Sequence, residues 1–212
     1  MDTKQVQLQY SFCLKDYVGD SAGLTSPEIL GLSDRLKAAL RSLDARRKQG
    51  HLGFADLPNA EGDVKDIQKL AARMKGKIDD LVIIGIGGSA LGNIAVQMAL
   101  NPLYWNQMSA KERKGWPRLY VMDNVDPEPL SALMKVINPK KTFVNMISKS
   151  GTTTECWANW SILRTFLEKK LPKGKLNQHL AITTDPLKGP MREWATREKI
   201  TSFVVPENVG GR

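Results

Sequence analysis

Thiol and imidazole groups are scarce in this sequence. Only Cys13 and Cys156 supply a thiol, and only His51 and His179 an imidazole, among 212 residues. No pair of these has metal-ligand spacing, and two distant thiols do not make a disulfide framework, so neither a zinc site nor a cross-linked mini-domain is expected. Long apolar runs are missing too. The longest nearly unbroken one, residues 81–86, has the length of a strand and falls far short of a bilayer span. Residues 1–10 are polar and of mixed charge, without the basic start and apolar stretch of a secretory signal. That predicts a cytoplasmic protein with no membrane partner.

Negative charge is the minority sign. Asp and Glu number 22 against 31 Lys and Arg, a formal charge of +9. The basic residues are nonetheless dispersed, apart from short clusters at 46–48 and 169–175 that read as solvated helix ends. No basic patch interleaves with aromatics, so nucleic acid is not an expected partner, whereas a small anionic substrate suits the charge. A hydrophobic content of 42% over this length supports one sizeable core with an added helical segment.

The chain changes texture near residue 81. Before it, Ser26-Pro27-Glu28 predicts a helix start with Ser26 as the N-cap. Apolar residues then recur at helical spacing through Ile29, Leu32, Leu36, Leu40 and Leu43. A second helix is predicted over Val64, Ile67, Leu70, Ala71 and Met74, after a loop at 50–62 rich in turn formers. Beyond residue 81, short β-rich runs alternate with helical patterns. Five strands are predicted at 81–86, 118–122, 142–147, 179–183 and 201–205, with helices at 91–101, 127–136, 153–169 and 186–195. A further short helix is expected across 108–115. The pattern is that of an α/β fold, a five-stranded parallel sheet flanked by helices over residues 81–212, preceded by a helical segment over 1–80. The end on Gly210-Gly211-Arg212 without a closing helix predicts a chain cut short.

Two of the strand ends are rich in hydrogen-bond donors. Ile84-Gly85-Ile86-Gly87-Gly88-Ser89-Ala90-Leu91-Gly92 runs from the first strand into a helix. Its glycines let amide N–H groups approach an anion, and Ser89 adds a hydroxyl at the positive end of the helix. The competing dinucleotide fingerprint fits less well. Ala90 stands where the third glycine belongs, and Asp123 comes later than the acidic residue expected roughly 20 residues on.

The second stretch is Ser148-Lys149-Ser150-Gly151-Thr152-Thr153-Thr154-Glu155, after the third strand. So many hydroxyls exceed what helix capping uses, and with a lysine and a glycine they suit a phosphate. If the strand order is 2-1-3-4-5, both stretches leave the carboxyl ends of the strands flanking the switch point, where ligands bind in such sheets. A third stretch, Pro206-Glu207-Asn208-Val209-Gly210-Gly211-Arg212, would bring a guanidinium to an anionic oxygen. Trp157 and Trp160 read as packing residues, the two histidines as structural, and Cys156 as a core or near-site residue with no histidine close enough in sequence to activate it.

In this order, the three stretches resemble signature segments of the glucose-6-phosphate isomerase family. The resemblance covers most of residues 81–212. It implies a flavodoxin-like sugar-isomerase (SIS) domain and reversible conversion of glucose 6-phosphate to fructose 6-phosphate through an enediolate, with no cofactor or metal and with a homodimer for the complete protein. By the same resemblance, Gly88, Ser89, Ser148, Lys149, Ser150, Gly151, Thr152, Thr153 and Gly211 contact substrate, chiefly its phosphate, and Arg212 stabilises the enediolate charge. The family's catalytic glutamate, ring-opening histidine and late lysine match nothing in these 212 residues, so these residues alone are expected to bind sugar phosphate without turnover. Asn93 stands where the family commonly has proline, and Cys156 where threonine is usual. The alternative is a sugar-phosphate-sensing regulatory module, which uses the same serine-rich loop.

Overall fold

The computed structural model describes residues 8–59 and 61–210, and the chain divides into two compact units, Met1–Leu52 and Gly53–Arg212. The first unit is helical. A single turn, α1 (Lys15–Val18), is followed by α2 (Ser26–Gly31) and α3 (Ser33–Lys48). The expected N-cap at Ser26 is displaced by one residue, because Thr25 is the cap and Ser26 and Pro27 lie in the first turn. Thr25 wins by reciprocity. The Glu28 amide donates to its Oγ1 at 3.3 Å, while Glu28 Oε2 accepts from the Thr25 amide at 2.7 Å and hydroxyl at 2.6 Å. Three residues after Ser26 stands Ile29, which has nothing to return. These bonds from Thr25 hold the Glu28 carboxyl below its ordinary value. The periodicity through Leu43 spans two helices instead of one, since α2 ends at its C-cap Leu32.

The second unit opens with short turns at Gly53–Ala55 and Leu57–Asn59 and the helix α4 (Val64–Met74). Its strands are β1 (Asp80–Gly85), β2 (Arg118–Met122), β3 (Thr142–Ser148), β4 (Leu180–Thr184) and β5 (Thr201–Val204). Each lies within one residue of its predicted ends. Between them run α5 (Gly88–Leu100), α6 (Pro127–Val136), α7 (Thr154–Glu168) and α8 (Pro190–Arg197). Helix α6 starts on Asp126, whose side chain accepts from the Glu128 amide, with Pro127 preset for the first turn.

Three local expectations give way. Residues 108–115 form turns instead of a helix: Lys114 and Gly115 take positive φ, and the buried Arg113 folds back to donate to the carbonyls of Met108 and Trp116. Helix α8 begins at Pro190 instead of 186, because the Asp185 carboxylate accepts from the amides of Leu187 and Lys188 at 2.8 and 2.9 Å and winds that stretch into a turn. His179 closes a short 3-10 turn before β4, with its Nδ1 2.8 Å from the Thr142 carbonyl oxygen.

All five strands are parallel, in the order β2-β1-β3-β4-β5. Val82 stands between Tyr120 and Val144 in register, and Val144 opposite Leu180. Alternate side chains Val82, Ile84, Val144, Met146, Leu180 and Ile182 face the main core, together with Leu133 of α6, Trp160 and Leu163 of α7, and Met191 of α8. Each large side chain so buried stabilises the fold by about 1.5–3 kcal/mol. Trp160 belongs to that core, while Trp157 packs against its margin beside Trp194, with ring centroids 5.5 Å apart. The other sheet face, with Ile83, Phe143, Ile147 and Phe203, borders α4 across an apolar cavity of about 370 Å³. Among the described residues no helix is long and apolar enough to cross a membrane.

The amino end of the sheet is pinned by one buried carboxylate. Asp80 is fully buried and lies 2.7 Å from the Arg118 guanidinium across the β1–β2 pair, while its second oxygen accepts from the Asn138 amide at 3.1 Å. Burial raises its pKa above the ordinary 3.8, against the lowering effects of the Asn138 amide and Arg118. The folded state therefore holds this proton more tightly than the unfolded chain. The group's contribution to stability is fully present below pH 3.8 and is lost as the pH rises through the folded value. Asp80→Ala, which leaves Arg118 half-buried without its partner, is expected to lower the unfolding free energy in urea by about 2–3 kcal/mol. Across the same acid window Asp80→Asn should flatten the pH dependence relative to the unsubstituted chain.

Candidate functional site

The site grows from the point where the strand order reverses. β1 lies between β2 and β3, and Gly85 at its carboxyl end is in register with Ile147 of β3. The connections from β1 and β3 depart there in opposite directions, which leaves a notch above the sheet edge. Both donor-rich stretches read from the sequence leave the sheet at that notch.

After β1 the chain turns at Gly87, whose φ of 56° and ψ of −118° lie in a region that disfavours side chains. The turn starts α5 at Gly88, three residues earlier than the sequence pattern indicated. No side chain caps this helix, and the Ser89 and Ala90 amides close on the carbonyls of Ile86 and Gly87 at 3.1 and 3.0 Å. Gly88 is exposed and Ser89 half-buried at that end. Asn93, one of the departures from the family pattern, donates its side-chain amide to the Ser89 carbonyl at 2.9 Å. It thereby braces the turn from one helical turn further on.

The loop after β3 is wound on itself. Ser148 Oγ lies 2.7 Å from Thr153 Oγ1 and accepts from the Gly151 amide at 3.1 Å. Ser150 and Thr152 are exposed, with their hydroxyls 2.8 Å apart, and the Thr152 amide donates to Ser150 Oγ at 3.2 Å. Gly151 is buried at φ 70°, where a β-carbon would come within 3.1 Å of Met191 and 3.2 Å of Thr184 Oγ1. Trp157 fixes its carbonyl with an indole N–H at 3.0 Å. Helix α7 then starts on Thr153 with no side-chain cap, as α5 does on Gly87.

The predicted site residues therefore separate into distinct structural positions. Gly88, Ser89, Ser150, Thr152 and Thr153 lie at the notch with some exposure. Ser148 and Gly151 are buried and shape the loop from within. Lys149 donates its ammonium to the carbonyls of Glu207 and Val209 at 2.7 and 2.6 Å. Gly211 and Arg212 lie outside the described residues. Cys156 is buried in the first turn of α7, with its thiol 3.7 Å from the Ile147 carbonyl. Burial, and secondarily Glu155, push its pKa up to about 11, so it is a protonated packing group at neutral pH and not a nucleophile.

The sequence reading passed over a set of residues that hold this loop from behind. The Asp185 amide donates to the Lys149 carbonyl at 3.1 Å. Arg192 of α8 grips the Asp185 carbonyl at 2.7 Å and Ser202 Oγ of β5 at 2.8 Å. Thr184, wholly buried beside Gly151, has a hydroxyl without a hydrogen-bond partner among the described residues. The Asp185-Pro186 pair was a legible turn signal. Nothing in the sequence linked it to residue 149. Among the described residues no group of three or more His, Cys, Asp or Glu is placed to hold a metal ion.

A family model described as phosphoglucose isomerase matches residues 66–212. A glucose-6-phosphate isomerase of Carboxydothermus hydrogenoformans is 43% identical over 190 residues, covering 89% of this chain and 40% of the relative. One from Thermus thermophilus is 36% identical over 84% of this chain and 40% of its own length. Among solved structures, a hypothetical protein of Thermus thermophilus superposes with a TM-score of 0.75 at 35% identity, over 87% of this chain and 42% of that one. A glucose-6-phosphate isomerase of Chlamydia trachomatis gives a TM-score of 0.51 at 26% identity, over 69% of this chain and 26% of its own. The chain thus spans about 40% of the length of the curated relatives it matches. By sequence and by fold, the chain belongs to the phosphoglucose isomerase family.

Proposed function

We propose that this chain binds a sugar phosphate in the notch between the β1–α5 and β3–α7 turns, as part of an enzyme that interconverts glucose 6-phosphate and fructose 6-phosphate. The observation that carries this reading is the register of Gly85 with Ile147, which sets two donor-rich turns at adjacent strand ends. Two helix amino termini without side-chain caps bring positive dipole ends to the same notch. The hydroxyls of Ser89, Ser150 and Thr152 supply oriented donors for the phosphate oxygens, and the excess of positive charge favours the approach of a dianion. Ser148, buried under the loop, keeps those donors in place without touching ligand.

The sugar end needs separate groups. Moving a proton between C2 and C1 takes a base, and the enediolate that forms needs a fixed positive group, for which Arg212 is the candidate. The base and the ring-opening group that the family calls for have no counterpart among the motifs of this sequence. We therefore assign to these 212 residues the binding half of the task, with dimerisation and turnover belonging to the complete protein.

Two measurements test this. Titration calorimetry of the chain with fructose 6-phosphate should show binding that weakens about tenfold or more for each of Ser89→Ala and Ser150→Ala, since a hydrogen bond to a charged group is worth about 1.5–3 kcal/mol. Unchanged affinity in the double variant would move the phosphate elsewhere. In a coupled assay the isolated chain should turn over substrate at background rate, and robust activity would show that a base lies within these residues after all.

A further inference from the structure

Lys149, in the loop after β3, is engaged within the protein at both its main chain and its side chain, its carbonyl with the Asp185 amide and its ammonium with the carbonyls of Glu207 and Val209. An ammonium has three donors. Two of them are directed at main-chain oxygens 58 and 60 residues further along the chain, so at most one remains. Because both acceptors are backbone atoms, the contact fixes the path of the chain independently of the side chains at 207 and 209.

The segment so gripped is held at other points as well. The Glu207 carboxylate lies 3.0 Å from the Lys188 ammonium, which keeps that negative charge on an outer partner. The Val209 amide closes a turn onto the Pro206 carbonyl at 3.1 Å. The Asn208 side chain lies against the buried Gly53 so closely that a β-carbon there would come within 2.3 Å of its Oδ1. Of these contacts, only the one from Lys149 joins the segment directly to the loop after β3.

We propose that Lys149 is a positioning residue, whose ammonium ties residues 206–210 to the loop after β3 and so fixes the path of the chain that leads on to Gly211 and Arg212. The assignment rests on the sugar-phosphate reading of the notch and deepens it. The notch and residues 206–210 are then one assembly, with the loop hydroxyls and the main chain at 207 and 209 joined through Lys149. A positive charge held on two carbonyls adds to the field at the phosphate without contacting it.

The test has three arms. In the unsubstituted chain, acetylation of lysines followed by peptide mass spectrometry should find Lys149 slow relative to the exposed Lys140 and Lys173, equally with and without inorganic phosphate. Rapid labelling that only phosphate suppresses would overturn the proposal, and this arm needs no variant to fold. In Lys149→Met, amide hydrogen exchange across 207–210 should quicken about tenfold or more, while the dissociation constant for inorganic phosphate changes less than about twofold. The reverse pattern, weakened phosphate with unchanged exchange, would make Lys149 a ligand. In the full-length enzyme, Lys149→Met should lower kcat about tenfold or more with KM nearly unchanged, and Lys149→Arg should restore most of it. A rise in KM with kcat intact would overturn the positioning role. Should the unsubstituted chain bind no phosphate, the reading of the notch fails, and the labelling and exchange arms still judge the tie by themselves.

Discussion

The pairing of β1 between β2 and β3 is the constraint on which the rest of this molecule depends. Parallel strands need crossovers, and a strand whose two sheet neighbours both come later in the chain sends its own connection one way while the next but one departs the other way. The divergence opens a notch that no single loop could make. It also explains the almost uninterrupted apolar character of β1: with neighbours on both sides and helices on both faces, Val82, Ile83 and Ile84 are all buried. The Asp80 clamp lies at the opposite end of the strands, where it joins β1 to β2 and to the chain entering β3.

At the notch the protein uses small side chains and its own backbone instead of large polar groups. The loop after β3 is braced from within, because its hydroxyls bond one another and its glycine amide bonds Ser148. Behind it, Asp185 and Arg192 connect the loop to β4, α8 and β5. Lys149 extends the same support to the segment that follows β5. The notch is thus supported by elements from the whole carboxyl edge of the sheet, which is consistent with a family model that begins in α4 and runs through the last residue.

Much of the architecture was legible from pattern alone. Strand positions followed from β-rich apolar runs, and α4 from the spacing of Ile67, Leu70 and Met74. Where the reading slipped, a local hydrogen bond had outcompeted the pattern. Thr25 took the cap from Ser26 because only Thr25 had an acidic partner at the right distance. The Asp185 carboxylate wound the next residues into a turn and delayed α8, and Arg113 turned 108–115 back on itself. Such contests turn on single side-chain contacts, and periodicity cannot see them.

The sequence by itself determined the composition of the site: which residues carry hydroxyls, where the glycines permit tight turns, and that the donors cluster after two particular strands. These are local properties, set by residue type and by separations of a few positions. Only the tertiary structure decided that the two clusters meet, since that follows from Gly85 standing opposite Ile147, far along the chain, in the parallel pairing of β1 with β3. It likewise divided residues of one motif into different tasks, with Ser150 open to the notch, Ser148 buried beneath it and Lys149 reaching residues 207 and 209. Residue type states what a side chain is able to donate. What it donates to depends on which distant atoms the fold brings within about 3 Å, the reach of a hydrogen bond.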